Sequence, residues 1–264
     1  MRHELKTLHA SFVAAYGTYT QYRTEFFLYV VAGMTPLIMM FVWISLAEAG
    51  ATGDTDATWF AAYFLVVFFT RQFSAVWLIR EFDLEVRLGR LSGSLMHPVN
   101  PYWRLLGWHA ADMAVRAPIA LAFVPAALWL SGGYQALSPV HLPLYLWTFA
   151  AGVLLHFHLE YLLGLAAFWT DQSLALESLY FTLFFLLGGL VVPLDMFPPI
   201  VRDAMAILPW PYIFGFPTEV ALGARDAGGM LRGVLIQGGW LVALAVLGQI
   251  LWRRGLRRYG AAGA

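Results

Sequence analysis

Residues 142–169 have the sequence LPLYLWTFAAGVLLHFHLEYLLGLAAFW, in which Glu160 is the only charged side chain. The hydrocarbon core of a bilayer is about 30 Å thick, and a helix of about 20 apolar residues crosses it. In water, a helix this apolar would expose far more hydrophobic surface than its few polar groups could compensate for. We therefore predict that this stretch spans a membrane.

The pattern recurs along the chain. Five further apolar runs are long enough to span: Phe26–Ala47, Trp59–Ile79, Leu105–Leu130, Leu174–Leu194 and Val234–Trp252. The chain as a whole is 60% hydrophobic and 12% charged, whereas soluble domains are about 25% charged. Backbone groups in lipid must hydrogen-bond within their own segment, so each run should be helical. We predict an all-α integral membrane protein, with residues 1–264 forming one transmembrane domain of six spans.

Basic residues predict the orientation. Those on one side of the predicted spans are Arg2, Lys6, Arg23, Arg80, Arg87, Arg90, Arg104, Arg253, Arg254, Arg257 and Arg258. Those on the other side are Arg202, Arg225 and Arg232. Because cytoplasmic loops carry the excess of Lys and Arg, both termini and the loop after the second span should face the cytoplasm of a plasma or inner membrane.

Two segments outside the spans have a helical pattern. Residues 4–23 place Leu5, Leu8 and Phe12 on one face, which predicts an amphipathic helix on the cytoplasmic surface. This helix would serve either as an anchor or as a docking site for a partner. Residues 195–232 contain two apolar stretches, Pro198–Leu208 and Tyr212–Leu222, which are too short to span. We expect two short helices there, entering the outer leaflet and capping the spans from outside.

Residues 80–104 have the sequence REFDLEVRLGRLSGSLMHPVNPYWR and form the largest predicted cytoplasmic loop. The charged first half predicts a short helix, about Glu81–Arg90. Five residues are expected to loosen it or end it: Gly89, Ser92, Gly93, Pro98 and Pro101. Mixed charge on a helix is also typical of a merely solvated face. Residues 80–100 are therefore either a docking segment for a cytoplasmic partner or a passive loop.

Five ionisable residues fall inside the predicted spans: Arg71, Asp112, Arg116, Glu160 and Glu177. Each costs about 2.5–3.5 kcal/mol to place at the centre of a bilayer, so each needs a reason. Asp112 and Arg116 are four residues apart and can pair on one helix. Arg71 could pair with Glu160 or Glu177 across helices. The set is either a polar gate near the cytoplasmic end of a transport path or a group of ion pairs that fix packing.

The sequence also argues against several functions. The only lysine, Lys6, lies in no Gly-rich loop, so the phosphate-binding pattern of ATPases is missing. His156 and Glu160 are four residues apart, but His158 points about 200° away on a helix, so we predict no metal site. The net charge is zero, which gives no field for nucleic acid. With no catalytic set and no cofactor motif, the chain is not expected to be an enzyme.

In their order along the chain, these features resemble the membrane subunit of a type 2 ATP-binding-cassette (ABC-2) exporter. That family has an amphipathic N-terminal helix, six spans, a coupling helix between the second and third, and a broken external segment before the last. Residues 85–104, EVRLGRLSGSLMHPVNPYWR, are similar to a branch in which a charged helix leads into G-R-x-x-x-x-L-x-x-P-x-N-P. The resemblance covers nearly the whole chain.

The resemblance implies two cytoplasmic ABC ATPase subunits, which hold ATP and Mg²⁺, and a second permease in the same membrane. In the similar branch the second permease is often a different chain, although a homodimer stays open. The residues that the resemblance assigns to ATPase coupling are Glu81, Phe82, Asp83, Leu84, Glu85, Arg87, Leu88 and Arg90. Two alternatives remain: a secondary transporter with Asp112, Glu160 and Glu177 as proton carriers, and a non-transporting membrane assembly protein. The sequence does not indicate a substrate.

Overall fold

The computed structural model describes residues 2–21, 33–74, 78–96, 100–170 and 173–262, and every regular element within them is a helix. The α-helices are α1 (Arg2–Gln21), α2 (Thr35–Glu48), α3 (Ala57–Ser74), α4 (Leu78–Arg87), α5 (Arg90–Leu95), α6 (Pro101–Ser131), α7 (Leu142–Leu165), α8 (Ser173–Leu187), α9 (Pro199–Met205), α10 (Gly215–Ala221) and α11 (Ala227–Ala262). Short 3₁₀ turns lie at Gly133–Ala136, Pro139–His141, Ala166–Phe168, Leu194–Met196 and Trp210–Tyr212.

Four helical stretches of the described residues are long and apolar enough to cross a membrane by length and composition. They are Ala57–Arg87, which takes in α3 and α4 on either side of residues 75–77 that lie outside the described part, and Pro101–Ser131, Pro139–Phe168 and Ala227–Tyr259. These agree with the second, third, fourth and sixth predicted runs. Pro118 and Pro125 lie inside α6 without ending it, which is tolerated in membrane helices because neighbouring groups satisfy the freed carbonyls.

The other two predicted runs contain shorter helices. In the first run, α2 begins at Thr35, and residues 22–32 lie outside the described part of the chain. In the fifth run, α8 ends at Leu187, so the prediction of helix to Leu194 was wrong. Gly189 has φ +84°, a left-handed conformation that ends a helix. At 15 residues, α8 is about 22 Å long, which is less than a bilayer core.

The segment between α4 and α6 also differs from the prediction. Gly89 adopts φ +68° and separates α4 from α5, which begins at the next residue. Ser92 and Gly93, expected to loosen the helix, lie inside α5. Pro101 begins α6 instead of ending the preceding helix, because Asn100 Oδ1 accepts the Tyr102 N–H at 2.9 Å and proline suits the first helical position. Pro98 lies outside the described residues.

Helix α1 confirms the predicted N-terminal helix and packs along α6. The backbones approach closely at Gly107, where an added Cβ would lie 2.7 Å from the Leu8 carbonyl oxygen. Leu5 and Val13 are exposed. Part of the apolar surface of α1 therefore contacts protein, and the rest is left for other neighbours.

The core of the molecule forms around α3, whose residues from Phe60 to Phe68 are all buried. Two hydrogen bonds fix the turn after α8 to the neighbouring helices. Trp43 Nε1 donates to the Val191 carbonyl at 2.9 Å, and Tyr63 Oη donates to the Gly189 carbonyl at 3.1 Å. A backbone carbonyl that is buried without a hydrogen-bond partner costs free energy. These two bonds therefore stabilise the turn in its position.

Residues 195–232, which we call the external segment after the predicted topology, contain the two short helices that the sequence predicts, α9 and α10. Most of α9 is exposed, whereas every residue of α10 is buried, in contact with α3 and α7. Gln237 Nε2, on α11, donates to the carbonyls of Thr148 and Tyr212, both at 2.9 Å. The second short helix is therefore packed between the longer helices and does not lie over their ends.

The close contact of α7 with the external segment generates a prediction about packing. An added Cβ at Gly152 would lie 2.6 Å from the Ile213 carbonyl oxygen, whereas one at Gly238 would meet nothing within 4 Å. Gly152→Ala should therefore destabilise the fold by about 1–3 kcal/mol. Gly238→Ala, the same change inside another helix, should not destabilise it. Thermal unfolding in detergent, followed by tryptophan fluorescence, measures both, and equal midpoints would contradict the packing described.

Candidate functional site

Helix α4 has two faces of opposite character. Leu78, Ile79, Phe82 and Asp83 are buried. The other face is exposed and consists of Arg80, Glu81, Leu84 and Arg87, and the exposed Leu88 follows directly after the helix. The spacing of three and four residues within each set is that of a helix with one side against protein. The structure therefore fixes which side of α4 a partner can reach.

The buried face is held by an aromatic cluster. The Phe82 ring lies 6.4 Å from Tyr161, 5.5 Å from Phe168 and 6.1 Å from Trp252 between centroids, with edge-to-face geometry. Such arrangements are favoured by the ring quadrupoles and bury large apolar areas. Phe82 thus anchors α4 against α7 and α11, and it is not available to a partner.

Two further predicted coupling residues, Asp83 and Glu85, are occupied by ion pairs within the chain. Asp83 Oδ1 lies 2.8 Å from Arg87 Nε, one turn away on α4. Glu85 Oε1 lies 2.6 Å from Arg104 Nη2, which belongs to α6. Of the eight residues assigned to ATPase coupling, Phe82 and Asp83 lie inside the molecule and Glu85 binds α6. The other five are exposed.

Exposed apolar side chains continue from α4 onto α5. Leu84 is 39% exposed, Leu88 57% and Met96 86%. We call these exposed residues the coupling surface, after the ATPase coupling that the resemblance assigns to this segment; they are Glu81, Leu84, Arg87, Leu88, Arg90, Leu95 and Met96. Apolar side chains grouped with charges of both signs are typical of protein–protein contacts.

In the part of the chain that the structure describes, a direct ion pair joins two of the five ionisable residues of the predicted spans. Asp112 Oδ1 and Arg116 Nη2 lie 2.9 Å apart, which confirms the pairing expected from their spacing. Among the described residues, Arg71 forms no ion pair with Glu160 or Glu177, and its guanidinium carbon lies 5.7 Å from the Phe184 ring centroid. Glu177 is half-buried on α8.

Glu160 has a partner that its sequence position did not indicate. Its Oε2 accepts the backbone N–H of Leu78, the first described residue of α4, at 2.9 Å. The side chains of Glu160 and His156 are each 1% exposed, and His156 Nε2 lies 3.3 Å from Glu160 Oε1. His158 faces elsewhere, with its Nε2 3.3 Å from Tyr102 Oη. Within the described ranges, no three His, Asp or Glu residues are grouped as a metal would require.

A second buried acid lies in the external segment and was not among the sequence candidates. Glu219, on α10, is paired with Arg225. Burial raises the pKa of Glu219 to about 7, while Arg225 opposes this shift. Beside the pair is a cavity of about 300 Å³ whose charged lining residues are Asp195, Arg202, Asp203, Arg225, Asp226 and Arg232. The sequence signal for Glu219 was its position as the only charged residue in the apolar stretch Tyr212–Leu222.

These features define a class of protein: a multi-pass α-helical membrane protein with a two-faced helix that presents a mixed apolar and charged surface. The chain belongs to the ABC-2 family of transporter proteins, whose family model matches residues 26–263. This confirms the resemblance found in the sequence and makes the chain a membrane permease component of an ABC transporter, a class that associates with ABC ATPase components. A comparison with curated proteins gives no match.

The Glu85–Arg104 pair generates a test of how α4 is attached. Glu85→Arg would place two guanidinium groups together, and we expect a loss of about 1.5–3 kcal/mol, the range for hydrogen bonds to charged groups. The charge swap Glu85→Arg/Arg104→Glu should recover at least half of that loss. Glu81→Arg, at an exposed position, should leave the unfolding midpoint unchanged. A swap no more stable than Glu85→Arg alone would reject the pair as an attachment.

Proposed function

We propose that the chain is the transmembrane subunit of an ATP-driven exporter and forms half of a substrate path. The coupling surface is the observation that carries this proposal. It is a patch of exposed leucine and methionine side chains among charges, on a helix whose opposite face is buried. In a chain of the ABC-2 family, the partner that such a surface fits is an ABC ATPase.

Helix α4 is held by the bundle on one side and is accessible on the other. A docking element that transmits force must be held on one side and accessible on the other. Phe82 anchors α4 through three ring contacts. Leu88 and Met96 provide apolar surface that a partner can reach. Covering that area on association contributes about 25 cal/mol per Å² before the costs of binding are subtracted.

The topology in this proposal has six spans with both termini in the cytoplasm of a plasma or inner membrane. Four spans are the long helices. The first is residues 26–47, of which α2 is the described part, and the fifth is α8 extended by the turn that Trp43 and Tyr63 hold. The external segment, with α9 and α10, is re-entrant from the outer side. Basic residues concentrate at the ends assigned to the cytoplasm.

The energy in this proposal comes from two separate ATPase subunits that bind ATP and Mg²⁺, since the chain has no phosphate-binding loop of its own. A second permease, which we take to be a different but similar chain, supplies the other half of the path. Asp112 and Glu160 each bind a group of this chain, which favours packing and positioning over a role as free proton carriers.

The test is the assembly of this chain with its ATPase. Leu88→Glu and Glu81→Arg should each lower the amount of ABC ATPase that co-purifies with the tagged chain at least tenfold, which corresponds to about 1.4 kcal/mol. Both residues are exposed, so the thermal stability of the permease alone should not change. Glu48→Arg matches Glu81→Arg in chemistry but lies at the exposed end of α2, and it should keep the wild-type yield.

Mg²⁺-dependent ATP hydrolysis by the purified complex provides the second measurement. It should fall with the co-purified ATPase in the two coupling-surface variants and remain in Glu48→Arg. Undiminished assembly in Leu88→Glu and Glu81→Arg, or a wild-type chain that recovers no ATPase from its native membrane, would contradict the proposed function.

A further inference from the structure

Glu160 lies at the junction of two elements with different roles. It belongs to α7, a membrane-crossing helix by length and composition, and its Oε2 accepts the N–H of Leu78 in α4 at 2.9 Å. A carboxylate of one helix that accepts a backbone N–H of another ties a side chain directly to the neighbouring main chain. A single side chain of α7 therefore binds the backbone of the helix that carries the coupling surface.

A close backbone approach accompanies this bond one turn further along α7. At Gly164, an added Cβ would lie 3.2 Å from Phe82 Cβ and 3.3 Å from the Leu78 carbonyl oxygen. The absence of a side chain at Gly164 lets α4 lie directly on α7. The polar bond, the close approach and the ring contact between Phe82 and Tyr161 join the same two helices at the same level.

The far half of α7 is joined to the external segment with equal closeness. Gly152 faces the Ile213 carbonyl, and the Thr148 carbonyl shares the Gln237 amide with the Tyr212 carbonyl. The buried helix α10 begins just after this point, at Gly215. Helix α7 thus has fixed contacts with the base of the coupling surface at one end and with the external segment at the other.

We infer that Glu160 is a positioning residue that joins the coupling surface to α7, so that displacement of α4 by the ATPase moves α7 and the external segment attached to it. The inference rests on the proposed function. Its physical basis is that packed, hydrogen-bonded elements transmit displacement, whereas a loosened junction absorbs it. The role needs an acceptor for the Leu78 N–H, and a glutamine carbonyl can fill it where a leucine side chain cannot.

The experiment uses the assembled complex of permeases and ATPase subunits in lipid nanodiscs. The chain contains no cysteine, so a pair of spin labels can be placed at Leu154→Cys on α7 and Phe41→Cys on α2, both exposed positions. The distance between the labels is measured by pulsed electron paramagnetic resonance without nucleotide and after trapping with ATP and vanadate. The wild-type complex should show a shift between these two states.

Glu160→Leu should reduce that shift by at least half while ATPase subunits remain bound and hydrolyse ATP. Glu160→Gln should keep the wild-type shift, because the glutamine carbonyl can still accept the Leu78 N–H. A role that depends on the negative charge of Glu160 predicts a reduced shift instead. Glu48→Leu is the matched control at an exposed glutamate and should also keep it. Gly164→Ala weakens the same junction without removing the carboxylate, and it should reduce the shift as well.

Three outcomes separate the hypotheses. A wild-type shift in both Glu160→Leu and Gly164→Ala would overturn the inference and leave the proposed function standing. A Glu160→Gln complex that behaves like Glu160→Leu would overturn the role as acceptor of the Leu78 N–H in favour of a role for the charge. A wild-type complex that binds no ATPase, or shows no nucleotide-dependent shift, would reject the proposed function and the inference with it.

Discussion

The contact between α4 and α7 determines what the chain can present to a partner. It buries Phe82 and Leu78 on one side of α4, and helical geometry then places Leu84 and Leu88 on the other. Without this contact, α4 would be a short charged helix with no fixed orientation, since isolated helices of this length are not stable in water. Packing against a membrane helix turns a charged stretch into a surface with a defined direction.

Charged residues of one segment therefore act in different ways. Asp83 and Glu85 neutralise arginines of the same chain, whereas Glu81 and Arg90 remain at the surface. Ion pairs within the chain fix the position of α4 on the bundle. Exposed charges contribute more to the specificity of a docking surface than to its affinity. The division explains why a helix can carry many charges and still pack firmly on an apolar bundle.

Buried polar groups are also paired around the turn after α8 and in residues 195–232. The turn after α8 gives its carbonyls to Trp43 and Tyr63, and Gln237 bonds to two carbonyls at once. Each bond satisfies a backbone group that neither lipid nor protein interior would otherwise pair. These bonds let an interrupted segment, with its buried helix α10, sit among the long helices as a continuous part of the core.

Sequence patterns alone were enough to predict that this chain lies in a membrane and to predict most of its local structure. Length and apolarity identified the long helices α6, α7 and α11, and four-residue spacing identified the Asp112–Arg116 pair, because both signals are contained in short stretches of chain. Three features became visible only in the folded chain: Phe82 is buried, Glu85 binds Arg104 and Glu160 accepts the Leu78 N–H. Glu85 and Arg104 are 19 positions apart in the sequence, and Leu78 and Glu160 are 82 positions apart. A local sequence pattern does not show which distant group a side chain will contact. The left-handed glycine that ends α8 escaped prediction for a related reason, since the apolar run continues past it and only its bonded neighbours fix the turn.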